Sequence, residues 1–332
     1  MKRFTKTLAL VLSLACTLSL VACGGQTAAP AATTEATEPA TTAVSGTPLS
    51  DGKALKMLCI TSSFGLNTTQ LLYDVAIAEG ATDVVIGRLY ASGCTLQQHA
   101  TNASSNANAY TYTKIDKGTG QWRTMESVSM YQGLKDEDWD IIFMQQSAAW
   151  GGAPETYQDY IDTIKTYVEQ HKTNPNARYI WNMTWAYQAD TDQTVFMTYY
   201  GNDQMGMYNA IVKTTQEKIV PRTDFEAISP TGTAIQNART SYFGDKLTKD
   251  TYHLNNVGGA IAAYTLYSTL TGKEITQINL DIVTATAKNG ITGADQIYEP
   301  FTEEDKQVIM EAVNNALKSP WSVTNSQYTT KP

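Results

Sequence analysis

Cysteine and histidine are scarce in this chain. There are four cysteines and three histidines in 332 residues, and two of the cysteines, Cys16 and Cys23, fall in the first 23. His99, His171 and His253 lie far apart, and no Cys/His/Asp spacing resembles a metal site, so neither a metal nor another cofactor is expected. Cys59 falls within an apolar strand-like run, where a buried free thiol is the commoner outcome, so no disulfide with Cys94 is expected. Basic residues are also in deficit, 24 against 32 acidic ones, for a net charge of −8. An acidic surface argues against nucleic acid as a partner and against direct adhesion to anionic lipid. The apolar run from Leu8 to Val21 falls short of the roughly 20 residues that a comfortable membrane span needs. There is no internal repeat and no second linker.

What the N-terminus does have is a pattern of export. Lys2, Arg3 and Lys6 precede the apolar run, as the charged and apolar regions of a secretory signal do. The run closes on Leu20-Val21-Ala22-Cys23, which resembles a lipobox, with Cys23 as the residue that becomes lipidated; the plainer alternative is an ordinary cleavage near Ala22. Residues 1–23 are thus expected to be a lipoprotein signal, and removing its three cations leaves a net charge of −11. Residues 24–53 are rich in Ala, Thr and Pro and cannot bury a core, so a disordered tether is expected there, spanning on the order of 30 Å as a flexible coil. The protein is expected outside the cytoplasm, held to the membrane through lipid alone.

Residues 54–332 are enough for one α/β domain. Strand-like runs occur at Ala54 to Ile60, Asp83 to Ile86, Asp140 to Met144, Tyr179 to Thr184 and near Phe225 to Ser229. Helix-like segments separate them, at Leu71 to Ile77, Tyr157 to Gln170, Met205 to Lys218 and Val257 to Leu270. This alternation predicts parallel βαβ units and a three-layer α/β/α, flavodoxin-like fold around a mainly parallel five-stranded sheet. Ligands of such sheets bind at the carboxyl ends of the strands. Between Ala109 and Ser127 the pattern changes to a β-hairpin, either a lid or a decoration of the scaffold.

Ser63 stands in the turn after the first strand, at the mouth of the sheet, where a serine is unreactive unless a base takes its proton. His253 is the histidine best placed to be that base. Asp250, three residues earlier, can orient one imidazole nitrogen and stabilise the imidazolium. Ser62 is the alternative nucleophile. His171 is expected at the surface, and His99 either faces the site or packs in the interior.

The order of these elements resembles that of the SGNH, or GDSL-type, hydrolase superfamily. The likeness is carried by Ile60-Thr-Ser-Ser-Phe64, Ser92-Gly-Cys-Thr-Leu96, Phe143-Met-Gln-Gln-Ser147, Met183-Thr-Trp-Ala-Tyr187, the stretch from Pro230 to Arg239 and Asp250-Thr-Tyr-His253. It covers nearly all of Leu55 to Gly272, and it is closer still to a bacterial branch of that superfamily catalogued as a domain of unknown function. The resemblance implies a serine esterase with Ser63, His253 and Asp250 as its triad. It also implies an oxyanion site made by the backbone amides of Ser63 and Gly93 and an amide side chain, Gln146 or failing that Gln145, where most relatives have asparagine.

Two blocks depart from the superfamily. The first reads Thr61-Ser62-Ser63 in place of Gly-Asp-Ser or Gly-Asn-Ser, and the third Met144-Gln-Gln-Ser147 in place of Gly-x-Asn-Asp. Both put turnover in question and leave a non-catalytic, carbohydrate-binding surface lipoprotein as the rival reading. Trp150, Trp181, Trp185 and Tyr187 gather after strands three and four, and Trp185 and Tyr187 are the expected substrate contacts; packing of the core is the alternative. Arg239 either meets an acidic substrate group or forms a structural ion pair. The expected substrates are short acyl esters, acetyl groups on glycans above all.

Overall fold

The computed structural model describes residues 48–116, 118, 120–280 and 300–331. The signal, Cys23 and the tether up to residue 47 lie outside the described residues. Within them, no helix is long and apolar enough to cross a membrane. The packed chain begins ahead of residue 54: Leu49 is buried, and the N–H groups of Leu49 and Ser50 both donate to Leu270 O.

Five strands form the expected parallel sheet, β1 (Ala54–Thr61), β2 (Asp83–Tyr90), β5 (Ile141–Met144), β6 (Arg178–Asn182) and β7 (Ala227–Ser229). The sheet has seven strands rather than five, in the order β4-β3-β2-β1-β5-β6-β7. The two extra strands, β3 (Tyr110–Asp116) and β4 (Arg123–Val128), are the hairpin, and β3 pairs antiparallel along the edge of β2. That pairing satisfies the backbone groups β2 would otherwise expose, and it buries Tyr110, Tyr112 and Ile115. The hairpin is therefore an extension of the sheet, not a lid. Its outer edge is irregular, with a register shift at Tyr110/Tyr112 and Ser127 at a φ of +57°, as edges that resist further pairing are.

Helices cover both faces. On one side lie α1 (Ser63–Thr69), α2 (Leu72–Ala78), α7 (Gln204–Lys218), α8 (Thr231–Arg239), α9 (Asn256–Thr271) and α10 (Glu303–Lys318), packed on the face that carries Met57, Cys59, Ile141 and Phe143. On the other lie α3 (Leu96–Ser104), α4 (Met130–Lys135) and α5 (Tyr160–His171), against Leu58, Ile60, Ile142 and Met144. A short α6 (Thr194–Tyr199) follows β6. Alternate residues of each strand thus feed opposite cores, as the two-residue strand period requires. Three helix starts are fixed by capping boxes, Thr95 with Gln98, Ser129 with Gln132 and Thr302 with Asp305. Helix α9 starts on an Asn255 cap and ends on Gly272 at a φ of +66°. It is buried along almost its whole length, and its close fit begins at Gly258 and Gly259. A Cβ there would stand 2.5 Å from Leu247 O and 2.3 Å from Gln70 Nε2.

Candidate active site

The carboxyl ends of three strands meet in register. Thr61 pairs with Tyr90 across β1 and β2, and Ile60 with Met144 across β1 and β5. The chain leaves them as Ser62-Ser63, the Gly93 turn and Gln145-Gln146. Ala91 N donates to Thr61 O at 3.2 Å and holds the Gly93 turn against the end of β1. Gly93 has a φ of +61°, is exposed, and has nothing within 4 Å of the place a Cβ would occupy. A glycine tolerates that backbone and leaves the turn open to close approach.

Ser63 is the first residue of α1 and is half-buried, whereas Ser62, the preceding residue, is 2% exposed. Of the two serines, the one the surroundings leave accessible is Ser63. Gly65 packs on Thr61, where a Cβ would stand 1.8 Å from Thr61 Oγ1; a side chain at that point would push α1 off the strand end.

The Asp250–His253 loop is closed at its base by an antiparallel bridge between Thr248 and Leu254, and Lys249 N donates to His253 O at 2.8 Å. Within it, His253 Nδ1 lies 2.7 Å from Asp250 Oδ2, and His253 N donates to Asp250 Oδ1 at 2.8 Å. Burial opposes ionisation of Asp250, but these hydrogen bonds and the nearby imidazole outweigh it and hold the carboxyl below its ordinary value. The carboxylate thus acts on one imidazole nitrogen, while the other, Nε2, is buried with no hydrogen-bond partner among the described residues. Thr251 adopts a φ of +73°, strained for a β-branched residue. Its carbonyl accepts from Gln188 N at 2.8 Å, and its hydroxyl meets that of Thr191 at 2.7 Å.

Two contacts bring this loop to the serine helix. The Phe64 ring packs edge-on to His253, with centroids 5.9 Å apart, and Asn67 Oδ1 accepts from Leu254 N at 3.2 Å. Asn67 also gives its amide to Gln70 Oε1 at 3.3 Å. The residues on either side of the proposed nucleophile and base are thus tied directly, across nearly 190 positions of sequence.

The two glutamines after β5 have separate roles. Gln146 is turned to the α3–α5 side and fully engaged: its Oε1 accepts from Leu96 N (3.0 Å) and Ser147 N (2.8 Å), and its Nε2 donates to Thr156 O (3.1 Å) and Oγ1 (3.0 Å). With both its amide hydrogens committed, Gln146 is not the free donor expected from the sequence. Gln145 continues the Ile141–Phe143 face, toward α1 and α9. Asn182 Nδ2 donates to its Oε1 at 3.0 Å, and Asn182 is fixed in turn by Thr231 Oγ1 at 2.7 Å. Gln145 Nε2 is left buried without a partner among the described residues. An orphaned buried donor of this kind costs about 1–3 kcal/mol and calls for an acceptor.

Trp185 and Tyr187, the expected substrate contacts, are instead core residues, 0% and 5% exposed. Trp185 stacks on Phe64 at 4.0 Å with its rings 7° apart, and its Nε1 donates to Tyr252 O at 2.8 Å. Such a stack contributes about 0.5–1.5 kcal/mol beyond the area it buries. Here it supports both Ser63, through Phe64, and the histidine loop, through Tyr252. Trp181 is likewise buried, against Tyr157 and Phe225, whereas Trp150 stays half-buried beside Tyr199. Arg239 forms a structural ion pair with Asp245 (2.8 Å) and donates to Ala186 O, so it is not a substrate contact. His99 is buried on α3, stacked on Tyr110, and burial takes its pKa down to about 3. His171 is half-buried between Tyr131 and Tyr167 rather than freely solvated. Cys59 and Cys94 are both free, and burial pushes each thiol up to about 12. Among the described residues, no three His, Cys, Asp or Glu side chains are grouped to hold a metal ion.

The sheet, covered by helices on both faces, thus carries Ser63, the Gly93 turn and Gln145 at adjoining strand ends, with the Asp250–His253 loop packed beside them through Phe64. The family model of the domain of unknown function DUF4886 matches residues 56–294, and the chain belongs to that family. A crystal structure of a DUF4886 family protein from Bacteroides uniformis is similar over 83% of this chain and 100% of its own, at 30% identity and a TM-score of 0.71. More distant likeness extends to a candidate SGNH hydrolase from Slackia heliotrinireducens (15% identity, 65% of this chain and 99% of that one, TM-score 0.42). A candidate GDSL-like lipase from Parabacteroides merdae is at 12% identity over 66% of this chain and 97% of its own, with a TM-score of 0.39. No curated protein matches.

Proposed function

We propose that the chain is an SGNH-type serine esterase that removes short acyl groups, acetyl esters of glycans foremost, at the cell surface to which a lipid on Cys23 anchors it. The observation that carries this reading is His253, which has one ring nitrogen on the Asp250 carboxylate at 2.7 Å and the other unpartnered beside the helix that Ser63 begins. Nε2 takes the Ser63 proton as Oγ bonds to the ester carbonyl carbon. The carbonyl π pair moves to oxygen, and the resulting oxyanion is met by the N–H groups of Ser63 and Gly93 and by Gln145 Nε2. Gln145 takes this role in place of Gln146, because Gln146 has spent its donors on Thr156. Collapse breaks the ester C–O bond, and the imidazolium returns its proton to the departing alkoxide. Water, deprotonated by the same nitrogen, then cleaves the acyl-serine to acid and free enzyme, so no cofactor is required. Asp250 stays ionised throughout and stabilises the imidazolium.

The test is labelling by a fluorophosphonate together with hydrolysis of an aryl acetate. Both are expected in the wild type, both vanish in Ser63→Ala with the fold intact, and both persist in Ser62→Ala. Absence of labelling and of turnover in a folded wild-type protein sinks the proposal and leaves the carbohydrate-binding alternative.

A further inference from the structure

The loop that starts at Gln145 also forms one wall of a second, separate concavity. Past Trp150 it runs through Gly152 and Pro154, which together with Tyr199, Tyr200 and the Lys213–Glu217 side of α7 enclose an open groove of about 460 Å³. That is within the range of small-ligand sites. None of the triad or oxyanion residues lines it.

Three observations describe what the groove would hold. Tyr199 is 42% exposed and has its ring orientation fixed, by the edge of Trp150 at 5.8 Å and by a hydrogen bond from its hydroxyl to Glu155 Oε1 at 2.9 Å. Thr214 lines the groove and is only 2% exposed, and its hydroxyl is not spent on any hydrogen bond among the described residues. It is a polar group at the groove wall, open to whatever fills the groove. Finally, Lys213 and Glu217 stand 3.8 Å apart on the rim, so the groove offers both signs of charge side by side rather than a field of one sign.

A monoanion would meet Glu217, and a cation would meet Lys213. A flat apolar ligand would leave Thr214 unsatisfied. A neutral ring with an apolar face and hydroxyls around its edge meets every requirement at once: its C–H face lies on the negative face of the tyrosine, and its hydroxyls exchange hydrogen bonds with Thr214, Lys213 and Glu217. We infer that this groove is a sugar-binding subsite, taking a pyranose unit of a neutral oligosaccharide. It rests on the esterase reading only in that a glycan held there would be kept beside the site; its own binding does not require turnover. The aromatic contacts expected of Trp185 and Tyr187 are thus provided by Tyr199 instead.

The experiment uses the full chain and unesterified xylohexaose, cellohexaose and chitohexaose. These probes contain no ester, so the state of Ser63 does not enter. Trp150 abuts Tyr199, so binding is read by tryptophan fluorescence and confirmed calorimetrically. At least one probe is expected to saturate with Kd of about 1 mM or tighter, the scale of a few kcal/mol. Tyr199→Ala is expected to weaken it at least tenfold, and Thr214→Val about fivefold, the effect of one lost hydrogen bond. Thr214→Val keeps the size of the side chain and guards against misfolding of the other variant. The inference is overturned if no probe saturates up to about 10 mM, or if both variants bind as the wild type does. The esterase reading fails by a different result, loss of fluorophosphonate labelling with sugar binding retained.

Discussion

Replacing each of the two glutamines after β5 by leucine separates catalysis from stability. Gln145→Leu removes a donor that the fold itself does not use. The one bond it breaks is to Asn182 Nδ2, which keeps a second acceptor in Thr68 Oγ1 at 3.3 Å, so the stability cost is about 1 kcal/mol. If Nε2 meets the oxyanion, kcat falls on the order of 10²–10³ with KM for an aryl acetate little changed. Gln146→Leu does the reverse. It strips the acceptor from the buried Leu96 and Ser147 amides and the donor from Thr156, and two orphaned N–H groups at about 1–3 kcal/mol each give a loss of about 2–6 kcal/mol. Its kcat per folded molecule should stay within about tenfold of wild type. Urea unfolding and steady-state kinetics on the same preparations read both quantities. Full kcat in Gln145→Leu, with a hundredfold loss in well-folded Gln146→Leu, would refute the assignment and reinstate Gln146 as the donor.

Four further outcomes are expected. In Ser63→Ala, adding His253→Ala should cost little more activity, because nucleophile and base act as a unit; a further hundredfold loss would show that they do not. Asp250→Asn should destabilise the fold at pH 7. The folded carboxyl lies below its ordinary 3.8, so its contribution is present above that value and lost as pH falls through the lower folded one; the difference from wild type in unfolding curves should shrink as pH falls below 3.8. His99, held neutral down to about 3 by burial, binds a proton more readily in the unfolded chain, so it makes stability fall as pH drops from about 6.5 toward 3. His99→Phe should flatten that part of the profile, and an unchanged slope counts against the burial argument. Cys23→Ala should release the protein from the membrane fraction or block its processing, and unaltered retention with unaltered lipid labelling would remove the anchor.

Much of the sheet was legible from sequence because its parallel strands are buried on both faces. Ala54–Thr61 and Ile141–Met144 read as continuous apolar runs, and the helix-like segments between them had clear periods. The hairpin was recognised as a hairpin, but its place at the sheet edge was not, since nothing local to Tyr110 or Trp122 says which strand will accept it. Ser63, Gly93, Asp250 and His253 stand out in the sequence because each follows a strand or precedes a helix, and the fold brings Phe64, next to Ser63, against His253. The alternation that puts 141, 143 and 145 on one face is written in the sequence, but that α1 and α9 share that face is not. Trp185 and Tyr187 misled for the opposite reason. Aromatic residues at a strand end look alike whether they meet solvent or, as here, lie beneath Phe64 and the histidine loop.

The hydrogen bond from Leu254 N to Asn67 has a consequence for how the chain reaches its working state. It joins the first helix to the start of α9, two segments made far apart in time on the ribosome. The strands up to β7 can associate as they emerge, the longest step among them being the pairing of β5 with β1. The bond to Asn67 closes a loop of nearly 190 residues and waits for α9 to dock, with α10 then packing behind it on α8 and α9. A nascent or truncated chain ending before His253 would hold Ser63 at the sheet without its proposed base. On the proposed mechanism, reactivity toward a serine-directed probe is a clock for the last long-range step of folding, and it should lag the appearance of secondary structure.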